Sequence, residues 1–125
     1  MATILIVEDS PTEAYVLENM LKDQGYQTLT AASGEEALEM AGPRRPDLIL
    51  MDVVMPGLNG FQTTRKLSKD AATADIPVIV VSSKDQPTDR IWALRQGARD
   101  YIVKPVEQAD LLTRIEAQLR ATARP

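Results

Sequence analysis

The chain has 125 residues, with 14 lysine and arginine residues against 18 aspartate and glutamate residues, a net charge of −4, and neither cysteine nor histidine. The missing cysteine excludes disulfides and thiolate nucleophiles, and the missing histidine excludes an imidazole base and a phosphohistidine. The acidic balance argues against nonspecific binding to nucleic acid, and the oxygen ligands that remain favour hard cations such as Mg²⁺.

The first half of the chain alternates short apolar runs with amphipathic stretches. Ile4–Val7 is predicted to be a strand and is too short for a signal peptide or a membrane span, so we expect no membrane insertion and a cytoplasmic location. A helix is predicted over Thr12–Asp23, with Gly25 as its C-cap. A weaker strand is predicted over Gln27–Ala31, and a second helix opens with a capping box at Ser33–Glu36.

The second half repeats this alternation. Leu48–Met51 and Val78–Val81 are continuously apolar, which is typical of parallel strands covered by helices on both faces. The remaining predicted elements are helices over Gly60–Leu67, Thr88–Gln96 and Gln108–Leu119, and a weaker strand over Asp100–Val103. Five strand–helix units without a linker predict one α/β domain over residues 1–125, a doubly wound parallel sheet without an output domain.

The residues that follow the predicted strands carry the chemistry. In open parallel sheets, ligands bind beyond the carboxyl ends of the strands, where the strand order reverses. These positions hold three carboxylates, a hydroxyl and an ammonium: Glu8, Asp9, Asp52, Ser82 and Lys104. Each alone is most often a turn or a helix cap. Three carboxylates at one edge repel one another, however, and a fold tolerates them mainly where a cation balances their charge.

Five sequence blocks, in order, resemble those of response-regulator receiver domains over essentially the whole chain. The blocks are Ile4–Ser10, Pro46–Asp52, Met55–Gly57, Ile76–Ser82 and Tyr101–Pro105. The resemblance implies a flavodoxin-like fold with five helices and strand order 2-1-3-4-5. It also implies a phosphorylation-dependent response regulator of a two-component phosphorelay, which is not an enzyme beyond its own phosphoryl transfer and slow self-dephosphorylation.

The resemblance also implies residue roles. Asp52 matches the phosphoacceptor and, with Asp9, a direct ligand of Mg²⁺, while Glu8 matches the acidic partner that holds the ion, usually through water. Val54 would offer its backbone carbonyl to the metal. Lys104 matches the lysine that contacts the phosphoryl oxygens, and we expect a cis bond between Lys104 and the proline that follows it.

Signalling in this family depends on a pair of switch residues and on a readout face. Ser82 matches the switch hydroxyl, and Tyr101 matches the switch aromatic. The face formed by the fourth helix, fifth strand and fifth helix is expected to contact a downstream effector through Arg90, Leu94, Tyr101 and Val106. Trp92 and Phe61 are expected to pack rather than bind. Because the chain lacks histidine, the implied donor is a histidine kinase in another protein. We expect a monomer or a weak dimer.

Within the family, two segments are similar to the stand-alone receivers of type IV pilus twitching-motility and chemotaxis-like systems. They are Asp9–Glu13 and Met51–Phe61. Val54 and Lys84 depart from fast-cycling chemotaxis receivers, which carry polar groups there that position the attacking water. We therefore hypothesise slow self-dephosphorylation.

Three alternative functions fit the sequence less well. A phosphatase of the haloacid-dehalogenase type needs a second aspartate two residues after its nucleophile, where this chain has Val54. A flavodoxin-like FMN carrier needs a hydroxyl-rich phosphate loop and stacking aromatics, but aromatic residues make up only 4% of the chain. A degenerate receiver that acts only as a phosphorylation-independent binding module is disfavoured because all five site residues are present.

Overall fold

The computed structural model describes residues 2–122 and shows five strands that alternate with five helices. In chain order, the elements are β1 (Thr3–Val7), α1 (Pro11–Lys22), β2 (Gln27–Ala31), α2 (Gly34–Arg44), β3 (Leu48–Asp52), α3 (Gly60–Lys69), β4 (Val78–Ser82), α4 (Pro87–Arg95), β5 (Asp100–Val103) and α5 (Gln108–Thr122). All neighbouring strands are parallel, and their order is β2-β1-β3-β4-β5. The predicted fold class and strand order are confirmed.

Two apolar layers sandwich the sheet, because successive strand side chains point to opposite faces. On one face, Leu5 and Met51 belong to a core that includes residues of α2, α3 and α4. On the other face, Ile4 and Leu50 pack with α1 and α5 through buried residues such as Leu111. Every residue of β3 and β4 is buried. This double coverage explains why the central strands are uniformly apolar rather than alternating.

The helix ends follow the sequence signals in part. Gly25 has φ 86° and closes α1: its N–H bonds to the Lys22 carbonyl, and the next N–H reaches back to Leu21, the pair of bonds that ends many helices. The predicted box at the start of α2 is only half formed, since Ser33 Oγ accepts the Glu36 N–H at 3.1 Å without a return bond. A complete capping box stands at α3, where Asn59 Oδ1 accepts the Gln62 N–H and Gln62 Oε1 accepts the Asn59 N–H, both at 2.9 Å.

The carboxyl ends of the central strands align at one edge of the sheet. Strand register pairs Val7 with Met51, Asp52 with Val81, and Ser82 with Val103. Because β1 lies between β2 and β3, the strand order reverses beside β1, and the loop after β1 faces the end of β3. Among the residues described, no helix is both long and apolar enough to cross a membrane.

Candidate functional site

Three carboxylates meet at the carboxyl edge of β1 and β3. Glu8, Asp9 and Asp52 each offer an oxygen within 4.8 Å of the other two. Glu8 and Asp52 are only 5% and 8% exposed, whereas Asp9 faces solvent. Close, partly buried carboxylates repel one another, so the cluster needs positive charge.

Lys104 supplies part of that charge from the end of β5. Its Nζ lies 3.1 Å from Glu8 Oε1, 3.3 Å from Asp52 Oδ1 and 2.5 Å from Glu13 Oε1. The bond between Lys104 and Pro105 is cis, as predicted. Burial disfavours the ammonium, but the hydrogen bonds to Glu13 and Glu8 outweigh it and raise the pKa of Lys104 above its ordinary value.

The pKa of Glu8 indicates that one lysine does not fully neutralise the negative charge of the carboxylate cluster. Burial, reinforced by the negative charge of Asp52, raises the pKa of Glu8 to about 7, although the Ser10 N–H and Lys104 both act to lower it. A divalent cation would supply the missing positive charge. The available donors are carboxylate oxygens, which suit Mg²⁺ and other hard cations, and Asp9 is open to solvent for exchange. The donor set therefore fits Mg²⁺.

Ser82 and Tyr101 converge on the backbone of Lys84. Ser82 is fully buried, and its Oγ accepts the Lys84 N–H at 3.1 Å. The Tyr101 hydroxyl donates to the Lys84 carbonyl at 2.7 Å. Burial, with help from nearby Asp89, raises the pKa of Tyr101. The two residues predicted to form a switch are thus joined through one peptide segment, which spacing in the sequence did not reveal.

The predicted readout face contains a groove of about 500 Å³ between α4, β5 and α5. Asp100 joins both helices, since its carboxylate lies 3.5 Å from Arg90 and 2.8 Å from Arg114. Leu94 is 40% exposed. Tyr101 lines the groove but is only 4% exposed, so in this conformation it offers little of its own surface to a partner.

Other predicted residues lie at the rim. Val54 is 63% exposed, two residues after Asp52. Val106 is half-buried and packs against the α1–α5 core, and Phe61 packs against the opposite one. Trp92 belongs to neither core, and its role in packing rather than binding stays a prediction. Half of its surface is exposed, because it stands over a shallow groove between α3 and α4 instead of entering the core.

Glu13 is a site residue that the sequence analysis missed. It belongs to the first turn of α1, not to the end of a strand, yet its carboxylate makes the shortest contact of Lys104. The signal that was available is the spacing from Ser10 to Glu13, which matches a capping box and points to the helix cap rather than to the site.

Comparisons with known proteins agree with this geometry. A family model described as "Response regulator receiver domain" matches residues 4–116. The chain is 57% identical to Protein PilH of Pseudomonas aeruginosa over 119 residues, which cover 95% of this chain and 98% of that protein. It also resembles the receiver domain of a signal transduction histidine kinase from Syntrophus aciditrophicus, with a TM-score of 0.92, 38% identity, and coverage of 100% of this chain and 95% of that one.

A further solved structure carries a metal. The receiver domain of the sensor histidine kinase PA1611 from Pseudomonas aeruginosa PAO1 has a magnesium ion coordinated in its active site cleft. It matches with a TM-score of 0.88 and 33% identity, covering 95% of this chain and 98% of that one. That receiver domain thus binds Mg²⁺, and the present chain has an acidic cluster formed by Glu8, Asp9 and Asp52.

Proposed function

The chain belongs to the response regulator receiver domain family, and we propose that it accepts a phosphoryl group on Asp52 with the help of Mg²⁺ and thereby switches a protein-binding surface. The observation that carries the proposal is the arrangement around Asp52. Its carboxylate lies next to two further carboxylates and 3.3 Å from the Lys104 ammonium. Such an arrangement provides a nucleophile together with groups that neutralise the charge of a phosphoryl group.

In the proposed reaction, a carboxylate oxygen of Asp52 attacks the phosphorus of a phosphohistidine on another protein. The new P–O bond gives an acyl phosphate, and the P–N bond breaks with its electron pair going to the departing imidazole, which takes up a proton. Asp9 and Glu8, with Asp52, would hold Mg²⁺, which supplies positive charge to the phosphoryl oxygens when bound. Val54 would add its backbone carbonyl.

Lys104 and Ser82 complete the proposed cradle. The ammonium would donate to one phosphoryl oxygen and the Ser82 hydroxyl to another, each in a charge-assisted hydrogen bond. For this, the hydroxyl turns toward Asp52 and gives up the Lys84 N–H that it accepts in the present conformation.

The switch would follow from that exchange. When Ser82 leaves Lys84, the segment that also receives the Tyr101 hydroxyl is free to move. Tyr101 would then change rotamer and alter the face that includes Arg90, Leu94 and Val106, shifting a two-state population. A downstream effector protein would bind this face.

The pathway is proposed from similarity. The identity to PilH, together with the resemblance to receivers of type IV pilus systems, supports a role in twitching motility or in a chemotaxis-like output, with a histidine kinase of that system as donor. The alternative is a receiver that binds partners without phosphorylation, and the experiment below separates the two.

Beryllium fluoride, which mimics a phosphoryl group on a carboxylate, tests the proposal directly. We expect its titration with Mg²⁺ to shift the amide resonances around Ser82, Lys84 and Tyr101 and to change Trp92 fluorescence, since α4 follows the moving segment. Asp52→Asn, which keeps the size of the side chain, is expected to abolish both responses. No response in the wild type, or an equal response in Asp52→Asn, would leave only the binding-module alternative.

The lifetime of the phosphoryl group gives a separate prediction. Val54 presents an apolar side chain to solvent beside Asp52 and cannot hydrogen-bond to an attacking water. We expect Val54→Asn to shorten the acyl phosphate half-life by about tenfold, because the amide can hold a water in position to attack the phosphorus. The measurement is loss of ³²P after transfer from acetyl phosphate. Ile91→Asn adds an amide at a similarly exposed site on α4 and is expected to change nothing. Equal half-lives in all three proteins would refute slow self-dephosphorylation.

A further inference from the structure

Glu13 makes a hydrogen bond that its position in the helix does not predict. Ser10 caps α1 and accepts the Glu13 N–H at 3.3 Å, which is half of a capping box. In the other half, the Glu13 carboxylate would accept the Ser10 N–H. Here Glu8 Oε2 accepts that N–H at 3.2 Å, and Glu13 turns to Lys104 instead. The cap bond is thus replaced by a contact with the site.

That contact uses one of the three hydrogens of the Lys104 ammonium. An ammonium has three donors and no acceptor, and Glu8, Asp52 and Glu13 each lie within hydrogen-bond distance of one Nζ. A phosphoryl oxygen can therefore bond to Lys104 only by displacing a carboxylate. When Asp52 becomes an acyl phosphate, its carboxylate loses its negative charge and releases one hydrogen of Lys104. Any further bond from Lys104 to the phosphoryl group must displace Glu8 or Glu13.

The two competitors differ in exposure. The side chain of Glu8 is 2% exposed and that of Glu13 is 51% exposed, so Glu13 is readily solvated when it releases Lys104. Yet the Glu13 contact is the shortest of the three, at 2.5 Å. It is also the leading favourable contribution to the raised pKa of Lys104, after the opposing effect of burial. Glu13 is therefore both a strong competitor and one that can leave.

We propose that Glu13 is a positioning residue that competes with the phosphoryl group for Lys104 and so weakens the phosphorylated state. The inference rests on the proposed function of Asp52 and adds a residue to it. The same negative charge lies beside the carboxylate cluster, where it attracts a divalent cation and repels a phosphoryl anion. Removing the charge of Glu13 is therefore expected to weaken the binding of a divalent cation and to strengthen the binding of a phosphoryl anion.

The experiment compares Glu13→Gln and Glu13→Ala with the wild type. Glutamine keeps a neutral acceptor and alanine removes it. With Mg²⁺ saturating, we expect both variants to bind beryllium fluoride more tightly, alanine more than glutamine, by about twofold to fivefold given the partial exposure of the pair. Affinity for Mg²⁺ alone is expected to fall by about twofold to fivefold. A purely structural role of Glu13 would lower both affinities together.

A measurement without either ligand isolates the contact. The ¹⁵N-labelled ammonium of Lys104 is expected to exchange its hydrogens with water faster in Glu13→Ala than in the wild type. Glu107→Gln is the matched control, because Glu107 is exposed, lies close to Lys104 in sequence and forms no ion pair among residues 2–122. It removes the same charge and is expected to leave exchange and both affinities unchanged.

The outcomes distinguish the inference from the function on which it rests. If the wild type binds beryllium fluoride through Asp52 but the Glu13 variants match it in both affinities and in ammonium exchange, the role of Glu13 is refuted while the proposed function stands. If the control shifts the affinities as much as the variants do, general charge explains the effect and the inference fails. If the wild type does not bind beryllium fluoride, both fail.

Discussion

Replacing Lys104 with methionine is expected to weaken beryllium fluoride binding by about a hundredfold, the loss typical of removing one donor that stabilises a reacting anion. Methionine preserves the length and apolar stem of the side chain but carries no charge. Without the ammonium, Glu8 and Asp52 lose a cation 3.1 and 3.3 Å away. Titration followed by amide resonances, at saturating Mg²⁺, measures the loss.

The same substitution is expected to tighten Mg²⁺ binding by about tenfold, because the ion no longer competes with a fixed positive charge. In the absence of Mg²⁺, the free energy of unfolding should fall by about 2–3 kcal/mol, since a nearly buried carboxylate loses its partner. Adding Mg²⁺ should recover most of that loss.

Lys22→Met is the matched control for Lys104→Met. Lys22 pairs with Glu18 at 3.7 Å on the surface of α1, and its side chain is 60% exposed. Exposed pairs of this kind contribute about 0–1 kcal/mol, so stability and both affinities should be nearly unchanged. If Lys104→Met bound beryllium fluoride as well as the wild type does, Lys104 would have no part in holding the phosphoryl group.

The architecture was predictable because burial on both faces leaves a clear trace in the sequence. Leu48–Met51 and Val78–Val81 can be uniformly apolar only where helices cover both sides of a sheet. The structure extends each by one residue, to Asp52 and Ser82. The prediction stopped at the first polar side chain, whereas the backbone ladder is formed by N–H and C=O groups and continues regardless of that side chain.

The site residues at the carboxyl ends of strands could be predicted from the sequence. The residues and backbone atoms that other elements contribute to the site could not. Glu8, Asp52 and Lys104 follow from parallel strand order, since carboxyl ends meet at one edge. The bond from Tyr101 to the Lys84 carbonyl involves a backbone atom, which no side-chain pattern marks. Glu13 depends on which of two competing acceptors takes the Ser10 N–H, a choice made by three-dimensional distances alone.

Substitution of Gly60 is expected to have a large effect on stability, because this glycine permits the start of α3 to lie against the end of β3. A Cβ built on Gly60 would lie 2.0 Å from the Asp52 carbonyl oxygen and 2.9 Å from the Val53 Cα. These are backbone atoms of the proposed phosphoacceptor and of the residue that follows it. The Gly60 N–H also bonds to the Val53 carbonyl at 2.9 Å. The start of α3 and the end of β3 therefore cannot move apart to make room for a Cβ without displacing the end of the strand or breaking this hydrogen bond.

Gly60→Ala is therefore expected to lower the free energy of unfolding by about 3 kcal/mol, at the upper end of the cost of overpacking. Urea denaturation followed by circular dichroism measures it. Gly42→Ala is the control, since Gly42 lies within α2 and a Cβ there would meet nothing within 4 Å. That change should alter stability by less than about 1 kcal/mol, because the helix preference of alanine over glycine is opposed by contact of its Cβ with the ring of Pro43.

A second measurement links this packing to the site. At a temperature where Gly60→Ala remains folded, the displaced strand end should carry Asp52 away from Lys104. The affinity of Gly60→Ala for beryllium fluoride should therefore be lower than that of the wild type, whereas Gly42→Ala should bind as the wild type does. Equal stability of Gly60→Ala and wild type would show that α3 and β3 can separate at little cost. The position of Asp52 would then have to be fixed by its ionic contacts instead of by the backbone.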